Sequence, residues 1–244
     1  MSARFEELDW RSTSMGELVL RRRRLPASDV DIFEVKLGDD FLMSSMFTVA
    51  EVEMARLALA EVSGDDLDVV VGGLGLGYTA QTVLADPRVG RLVVVDALAE
   101  VIEWHRRDLV PAAASLISDE RCTLVHGDFF GMLRSPTGFD ASAPDRLVDA
   151  IVVDIDHSPR HVLDPAHAEF YGRDGVARVA ARLRPGGVFA LWSNDPPDDE
   201  FTALLADAFA TAEAHVVRFP NPLQDREAAH TVYVATATNA AARS

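Results

Sequence analysis

The segment Val69-Val70-Val71-Gly72-Gly73-Leu74-Gly75-Leu76-Gly77-Tyr78 constrains the fold more than any other stretch of this chain. Consecutive valines read as the end of a buried strand, and the glycines that follow let the backbone turn sharply and approach a ligand with no Cβ in the way. A helix expected from about residue 78 then offers free N–H groups and a positive dipole end to a polar or anionic group. Strand, glycine turn and helix in succession form half of a βαβ unit, which requires parallel strand pairing.

The rest of the chain continues that pattern. The short apolar runs Leu92 to Val95, Leu124-Val125, Ala150 to Val153 and Val188 to Leu191 suit parallel strands buried on both faces. Helical stretches are expected at about 78–86, 99–109, 111–118, 169–183 and 199–209, and Pro185-Gly186-Gly187 is read as a stop before the next strand. Two last strands, about 213–219 and 230–236, have no long helix between them and predict an antiparallel hairpin. The series predicts an α/β fold, a Rossmann-like doubly wound sheet whose ligand crevice lies at the carboxyl ends of the strands.

Residues 1–46 lack helical periodicity. Short strands at 17–24, 30–37 and 40–45, separated by turns at Pro26-Ala27-Ser28-Asp29 and Gly38-Asp39, predict a small N-terminal β region. Thr48 is expected to cap a helix running to about 62, with Gly64 closing it. The 244 residues thus divide into a β region over 1–46 and a Rossmann-like cofactor-binding domain over 47–244.

A net charge of −16 argues against nucleic acid and anionic membrane surfaces as partners and would attract a cationic small molecule. Arg21 to Arg24 is read as the solvated, edge-protecting end of a strand. Cys122 is the sole cysteine, expected as a buried structural thiol in a reducing compartment. The N-terminus has no apolar leader pattern and no apolar run reaches spanning length, so a cytoplasmic protein is expected.

The strand ends carry the candidate site. Asp96 ends the strand after the glycine turn, where a carboxylate accepts hydrogen bonds from ribose hydroxyls. Asp128 ends the third strand and could meet an adenine edge. With Gly73, Gly75 and Gly77 they predict an adenosyl pocket within residues 67 to 128, for S-adenosylmethionine. Asp154-Ile155-Asp156-His157-Ser158-Pro159-Arg160-His161 follows the fourth strand, and Ser-Pro makes it a loop at the ligand end of the sheet. Asp154 is the candidate general base or electrostatic anchor, and His157 a substrate contact or alternative base. One of Asp154 and Asp156 is expected to reach the pocket while the other meets solvent; Asp156 and Trp192 are the substrate-side candidates, with Phe170 and Tyr171 as further aromatic lining. Asp154 with Asn194-Asp195 would suit a hard divalent cation, and His157, His161 and His167 a softer one. Asn194-Asp195 reads better as the start of a Pro-rich turn and the histidines lack ligand spacing on a firm helix, so a divalent metal is the less favoured expectation and no metal ligand is assigned.

Gly72-Gly73-Leu74-Gly75-Leu76-Gly77, Val95-Asp96 with Ala97 to Glu103, Gly127-Asp128 and Val153-Asp154 resemble the spermidine synthases, the aminopropyltransferase branch of the class I S-adenosylmethionine-dependent methyltransferase superfamily. The resemblance spans roughly 37 to 220. It implies a seven-stranded sheet with a small N-terminal β region, Asp96 on ribose, Asp128 on adenine, Asp154 as base, and a homodimer. The departures fall on the amine contacts. Gly75 stands where the family has an Asp for the amine of decarboxylated S-adenosylmethionine, and His157 replaces the second Asp of its loop. Leu42 aligns with a Gln, and Glu51 and Val52 with a Tyr/His pair. Methyl transfer from S-adenosylmethionine to a small molecule is therefore the leading expectation. Aminopropyl transfer from decarboxylated S-adenosylmethionine to a polyamine is the first alternative, and a non-catalytic nucleoside-binding protein the next. A nicotinamide cofactor is weaker, since nothing after the fourth strand resembles a hydride-transfer site.

Overall fold

Polar and apolar side chains alternate along the first strands, and this builds an antiparallel sheet. In the computed structural model, which describes residues 5–24 and 30–239, β1 (Phe5–Thr13), β2 (Gly16–Arg24), β3 (Asp31–Leu37) and β4 (Asp40–Ser44) pair in that order. The turn expected at Pro26-Ala27-Ser28-Asp29 lies outside the described residues. Leu18, Leu20, Val35 and Leu37 are buried and join the main core. The sequence reading did not include β1, whose largely polar run becomes a strand through its pairing with β2.

The arginine run is not an edge. β2 is flanked by β1 and β3, and Arg21 sits opposite Glu34, a buried carboxylate that accepts from Arg21 Nε at 2.8 Å and Arg23 Nε at 2.7 Å. Arg22 reaches Glu6 and Arg24 reaches Asp31 across the same sheet. Neutralising a buried acid, rather than shielding an edge, is what these cations do.

α1 (Val49–Glu61) starts after Thr48, whose side chain makes no capping bond, and ends at Val62, ahead of Gly64 at φ 97°. Its face of Ala50, Met54, Ala55, Ala58 and Leu59 is buried in the core that also takes alternate residues of the large sheet.

That sheet is laid down by β5 (Leu67–Gly72), α2 (Tyr78–Ala85), β6 (Val89–Asp96), α3 (Ala99–Arg106), α4 (Ala113–Ser118), β7 (Cys122–His126), α5 (Phe129–Arg134) and β8 (Val148–Val153). A 3-10 turn over Pro165–Tyr171, α6 (Arg173–Arg182), β9 (Leu183–Ser193), α7 (Asp199–Ala208), β10 (Thr211–Asn221) and β11 (Arg226–Thr236) complete it. The strand order β10-β11-β9-β8-β5-β6-β7 makes a seven-stranded, Rossmann-like sheet, parallel from β9 to β7 with an antiparallel β10–β11 hairpin joined to β9. Because the chain moves from β5 outward through β6 and β7, then returns to β8, the topological switch point lies between β5 and β8. Val69, Val71, Val94 and Val152 face one core, with α1 to α4; Val70, Val95, Ile151 and Val153 face the other, with α5 to α7. Such two-sided burial is why these strands read as continuous apolar runs.

Two expectations need correction. The helix expected at 169–183 is broken at Gly172, and at Gly175 an added Cβ would lie 2.2 Å from the Phe170 carbonyl oxygen, so the turn and α6 pack too closely for one continuous helix. Pro185-Gly186-Gly187 is not a stop: β9 runs through it, and the register shift against β8 absorbs the irregularity. Among the described residues no helix is long and apolar enough to cross a membrane.

Candidate active site

The glycine turn is the hinge of the site. Gly73 donates its N–H to the Val95 carbonyl at 2.9 Å and holds φ 92°, and a Cβ there would lie 2.0 Å from the Asp154 carbonyl oxygen. The turn after β5 therefore presses directly on the end of β8, which no residue with a side chain could do. Gly75, at φ 47°, faces the N-terminal sheet: its missing Cβ would meet Met43 Sδ at 2.5 Å, and the Leu76 N–H points at the same sulfur at 3.0 Å. Gly77 is placed differently. Its N–H goes to the Leu74 carbonyl, and a Cβ would strike His105, Ala112 and Leu116, so it packs α2 against α3 and α4 and lies outside the cavity.

That cavity, about 630 Å³, opens between the carboxyl ends of the central strands and the β4–α1 region. Gly73, Gly75, Asp96, Asp128, Asp154, His157 and Trp192 all line it; Asp156 does not. The Asp96 carboxylate accepts the N–H groups of Leu74 at 2.9 Å and Leu98 at 2.8 Å, so it braces the glycine turn while facing the cavity. Burial raises its pKa against the pull of those N–H groups. Asp128 is exposed at the rim, 3.7 Å from Arg134.

Asp154 is tied to the end of β5 by its N–H, donated to the Gly72 carbonyl at 2.8 Å. Its Oδ2 accepts from Thr79 Oγ1 at 3.0 Å. Burial pushes this carboxyl up to about 6, with Thr79 pulling the other way. Facing it is a residue not foreseen as part of the site: Glu51 of α1, 7% exposed, with Oε2 lacking any hydrogen-bond partner. Burial, then the Asp154 charge, pushes Glu51 up to about 8. At neutral pH the two therefore hold one proton between them. Tyr78, also raised by burial, and Thr79 come from the first turn of α2.

Asp156 corrects the expectation that one of the paired acids meets solvent and that this one binds substrate. It is 2% exposed and accepts from the Leu163 N–H at 2.7 Å, His167 Nδ1 at 2.9 Å and Tyr171 Oη at 2.8 Å. Once the chain leaves β8 it curls, and Asp156 turns into the loop where three donors satisfy it. Phe170 and Tyr171 accordingly sit in the core beneath the site. Trp192 lines the cavity and donates Nε1–H to His230 Nδ1 at 3.2 Å, which keeps that imidazole an acceptor; burial lowers its pKa to about 4. Of the three loop histidines, His157 and His167 line the cavity, His167 also bonding Asp156, while His161 lies outside it and bonds Asp195 at 2.8 Å. Asp195, engaged with Ser158 and His161, does not line the cavity with Asp154, although Asn194 does. Among the described residues no group of three or more His, Cys, Asp or Glu is placed to hold a metal ion. Cys122 is half-buried, and burial pushes its thiol up to about 12.

No protein-family model matches the sequence, and no curated protein matches it. Solved structures do match in shape. A spermidine synthase in complex with the transition-state analogue AdoDATO is 14% identical, with a TM-score of 0.71 over 94% of this chain and 73% of that one. The spermidine synthase of Thermotoga maritima, also 14% identical, gives 0.70 over 94% and 72%. A probable spermidine synthase from Corynebacterium glutamicum, 14% identical, gives 0.64 over 95% and 79%. Over nearly its whole described length, this chain has the fold of the spermidine synthases.

Proposed function

We propose that this protein is a transferase that binds an adenosyl sulfonium donor and an amine acceptor, and that its reaction is aminopropyl transfer from decarboxylated S-adenosylmethionine. The observation that carries this reading is Asp154, an enclosed carboxylate at the switch point, sharing one cavity with a bare-backbone turn in a fold common to spermidine synthases.

The residues fit an adenosyl group. Gly73 and Gly75 line the cavity, and their missing Cβ atoms let the turn close against Asp154 and Met43. Each Asp96 oxygen accepts one backbone N–H and keeps a lone pair for a ribose hydroxyl. Asp128 and Arg134 stand at the rim, where an adenine edge would lie. Such a cavity has the size and mixed lining typical of small-molecule sites. When bound, the sulfonium supplies an electrophilic carbon and a neutral thioether leaving group. Asp154, ionised above about pH 6, takes the proton from the acceptor nitrogen. Thr79 holds one of its oxygens, leaving the other free for that nitrogen. Holding the nucleophile in line with the carbon is the larger share of the catalysis.

A second reading is methyl transfer from intact S-adenosylmethionine. Position 75 is a glycine packed under Met43, the turn carries no acid for the donor's amine, and this favours methyl transfer. Calorimetry with the two donors, followed by mass spectrometry of putrescine incubated with each, separates them. The expected result is tighter binding of the decarboxylated donor and an aminopropylated product. Asp154→Asn is expected to keep nucleoside affinity and to lose about 10²- to 10⁴-fold in kcat, with the wild-type rate rising through about pH 6. A methylated product would establish the second reading instead. Donor binding with no product from any amine, and unaffected by Asp154→Asn, would mark a nucleoside-binding protein without catalysis.

A further inference from the structure

Among the described residues three buried side-chain atoms lack a hydrogen-bond partner: Glu51 Oε2, Asp68 Oδ1 and His105 Nδ1. Of these residues, Glu51 is the one that lines the large cavity. Unpaired buried carboxyl oxygens are costly, and one that faces a cavity can be completed by a ligand that enters it. The stripe of α1 that carries Glu51 is otherwise apolar, so a Leu or Met there would have served packing better.

The groups around it define what is missing. Asp154 faces it from the end of β8, Tyr78 from α2, His230 from β11 and His157 from the loop, while β9 contributes Trp192 and β10 contributes no titratable side chain to the cavity. His230 is held neutral by burial, and Arg134, the cation of the lining, pairs with Asp128 at the rim. Two carboxyl groups thus meet with no fixed cation beside them. Leu42, Phe47 and Trp192 supply apolar wall for an alkyl chain. We propose that Glu51 and Asp154 form a carboxyl pair that seats the amino group of the acceptor, taking in the protonated amine with release of one proton to solvent. This rests on the amine-acceptor reading above and names the residue that selects such an acceptor.

With the site free of amine at neutral pH, Glu51 carries a proton and Asp154 does not. An entering ammonium lets Glu51 lose its proton to solvent. A proton then passes from the ammonium to the pair, which restores its single shared proton and leaves a neutral amine with a free lone pair. That lone pair forms the new N–C bond, the electrons of the broken C–S bond remain on sulfur, and the surplus N–H proton goes to Asp154.

The test is calorimetry of the full chain saturated with methylthioadenosine and titrated with putrescine at about pH 7, in two buffers of different ionisation heat. Release of about one proton per putrescine is expected, falling toward zero at about pH 9, where Glu51 is already ionised. In Glu51→Gln the release is expected to vanish and putrescine affinity to fall at least about tenfold, with methylthioadenosine affinity unchanged. Binding without proton release, or equal release in Glu51→Gln, would overturn the pair. If that variant does not fold, the pH dependence of the wild-type proton count decides alone. Nucleoside binding with no putrescine binding refutes this inference and leaves the adenosyl pocket standing. Proton-coupled putrescine binding with no transfer product supports the pair and refutes the transfer.

Discussion

Glu51 occupies a position that helix periodicity assigns to the core. Glu51, Ala55, Ala58 and Val62 recur at spacings of four, three and four, and α1 buries that stripe. In sequence Glu51 marks a departure from the spermidine synthase pattern, and an acid on an apolar stripe is the signal of its burial. Its raised pKa has a consequence for stability. A carboxyl that holds its proton to about pH 8 when folded, but loses it near pH 4.5 when unfolded, makes the native state the greater proton binder between those values. Stability is then greatest at the acid end of that window and falls as pH rises through it. Asp154 adds the same sign up to about pH 6. Thermal unfolding from about pH 5 to about pH 9 should show Tm of Glu51→Gln declining less than that of the wild type, by several degrees at the alkaline end. Parallel curves would show that Glu51 ionises normally.

At the scale of elements, the segment between β8 and α6 is the least regular part of the site, and Asp156 holds it together. One carboxylate gathers a backbone N–H, an imidazole and a phenol from across the loop and its 3-10 turn, and His167 packs on Phe130 with ring centres 4.3 Å apart. Asp156→Ala would orphan all three donors and is expected to cost ~3 kcal/mol in denaturant unfolding, with faster proteolysis within 155–171. Tyr171→Phe removes one bond and should cost ~1 kcal/mol. Neither the clamp nor its turn was legible. Asp-Ile-Asp-His reads as a site motif because its acids are two residues apart, yet the partners of Asp156 lie seven to fifteen residues on and that of Asp154 is Thr79, 75 residues earlier. α5 escaped for a related reason: Phe129–Arg134 is too short to show a helical period, and Phe129 and Phe130 are fixed by burial under the sheet.

The whole molecule carries a charge of −16, and its cavity lining includes Asp96, Asp128 and Asp164. Such a field would draw the proposed cationic acceptor, and salt screens it over ~30 Å at 0.01 M and ~8 Å at 0.15 M. Putrescine affinity is expected to fall several-fold between those two salt concentrations, while methylthioadenosine affinity stays level; equal salt response of both would remove the field as the cause. The N-terminal sheet belongs to the same scale. Through Met43 it covers Gly75 and closes one wall of the cavity, so the small β region helps to shape that cavity.

The features legible in the sequence depend on neighbours a few residues apart: the βαβ series, the glycine turn, and Asp96, Asp128 and Asp154 at successive strand ends. Strand burial, turn chemistry and helix period are local, and they leave their trace in local pattern. Only the tertiary structure decided that Glu51 would meet Asp154, that Met43 would cover Gly75, that Asp156 would turn inward, and that Arg21 and Arg23 would neutralise Glu34. Those contacts join elements far apart in the chain, and packing register rather than residue type selects them.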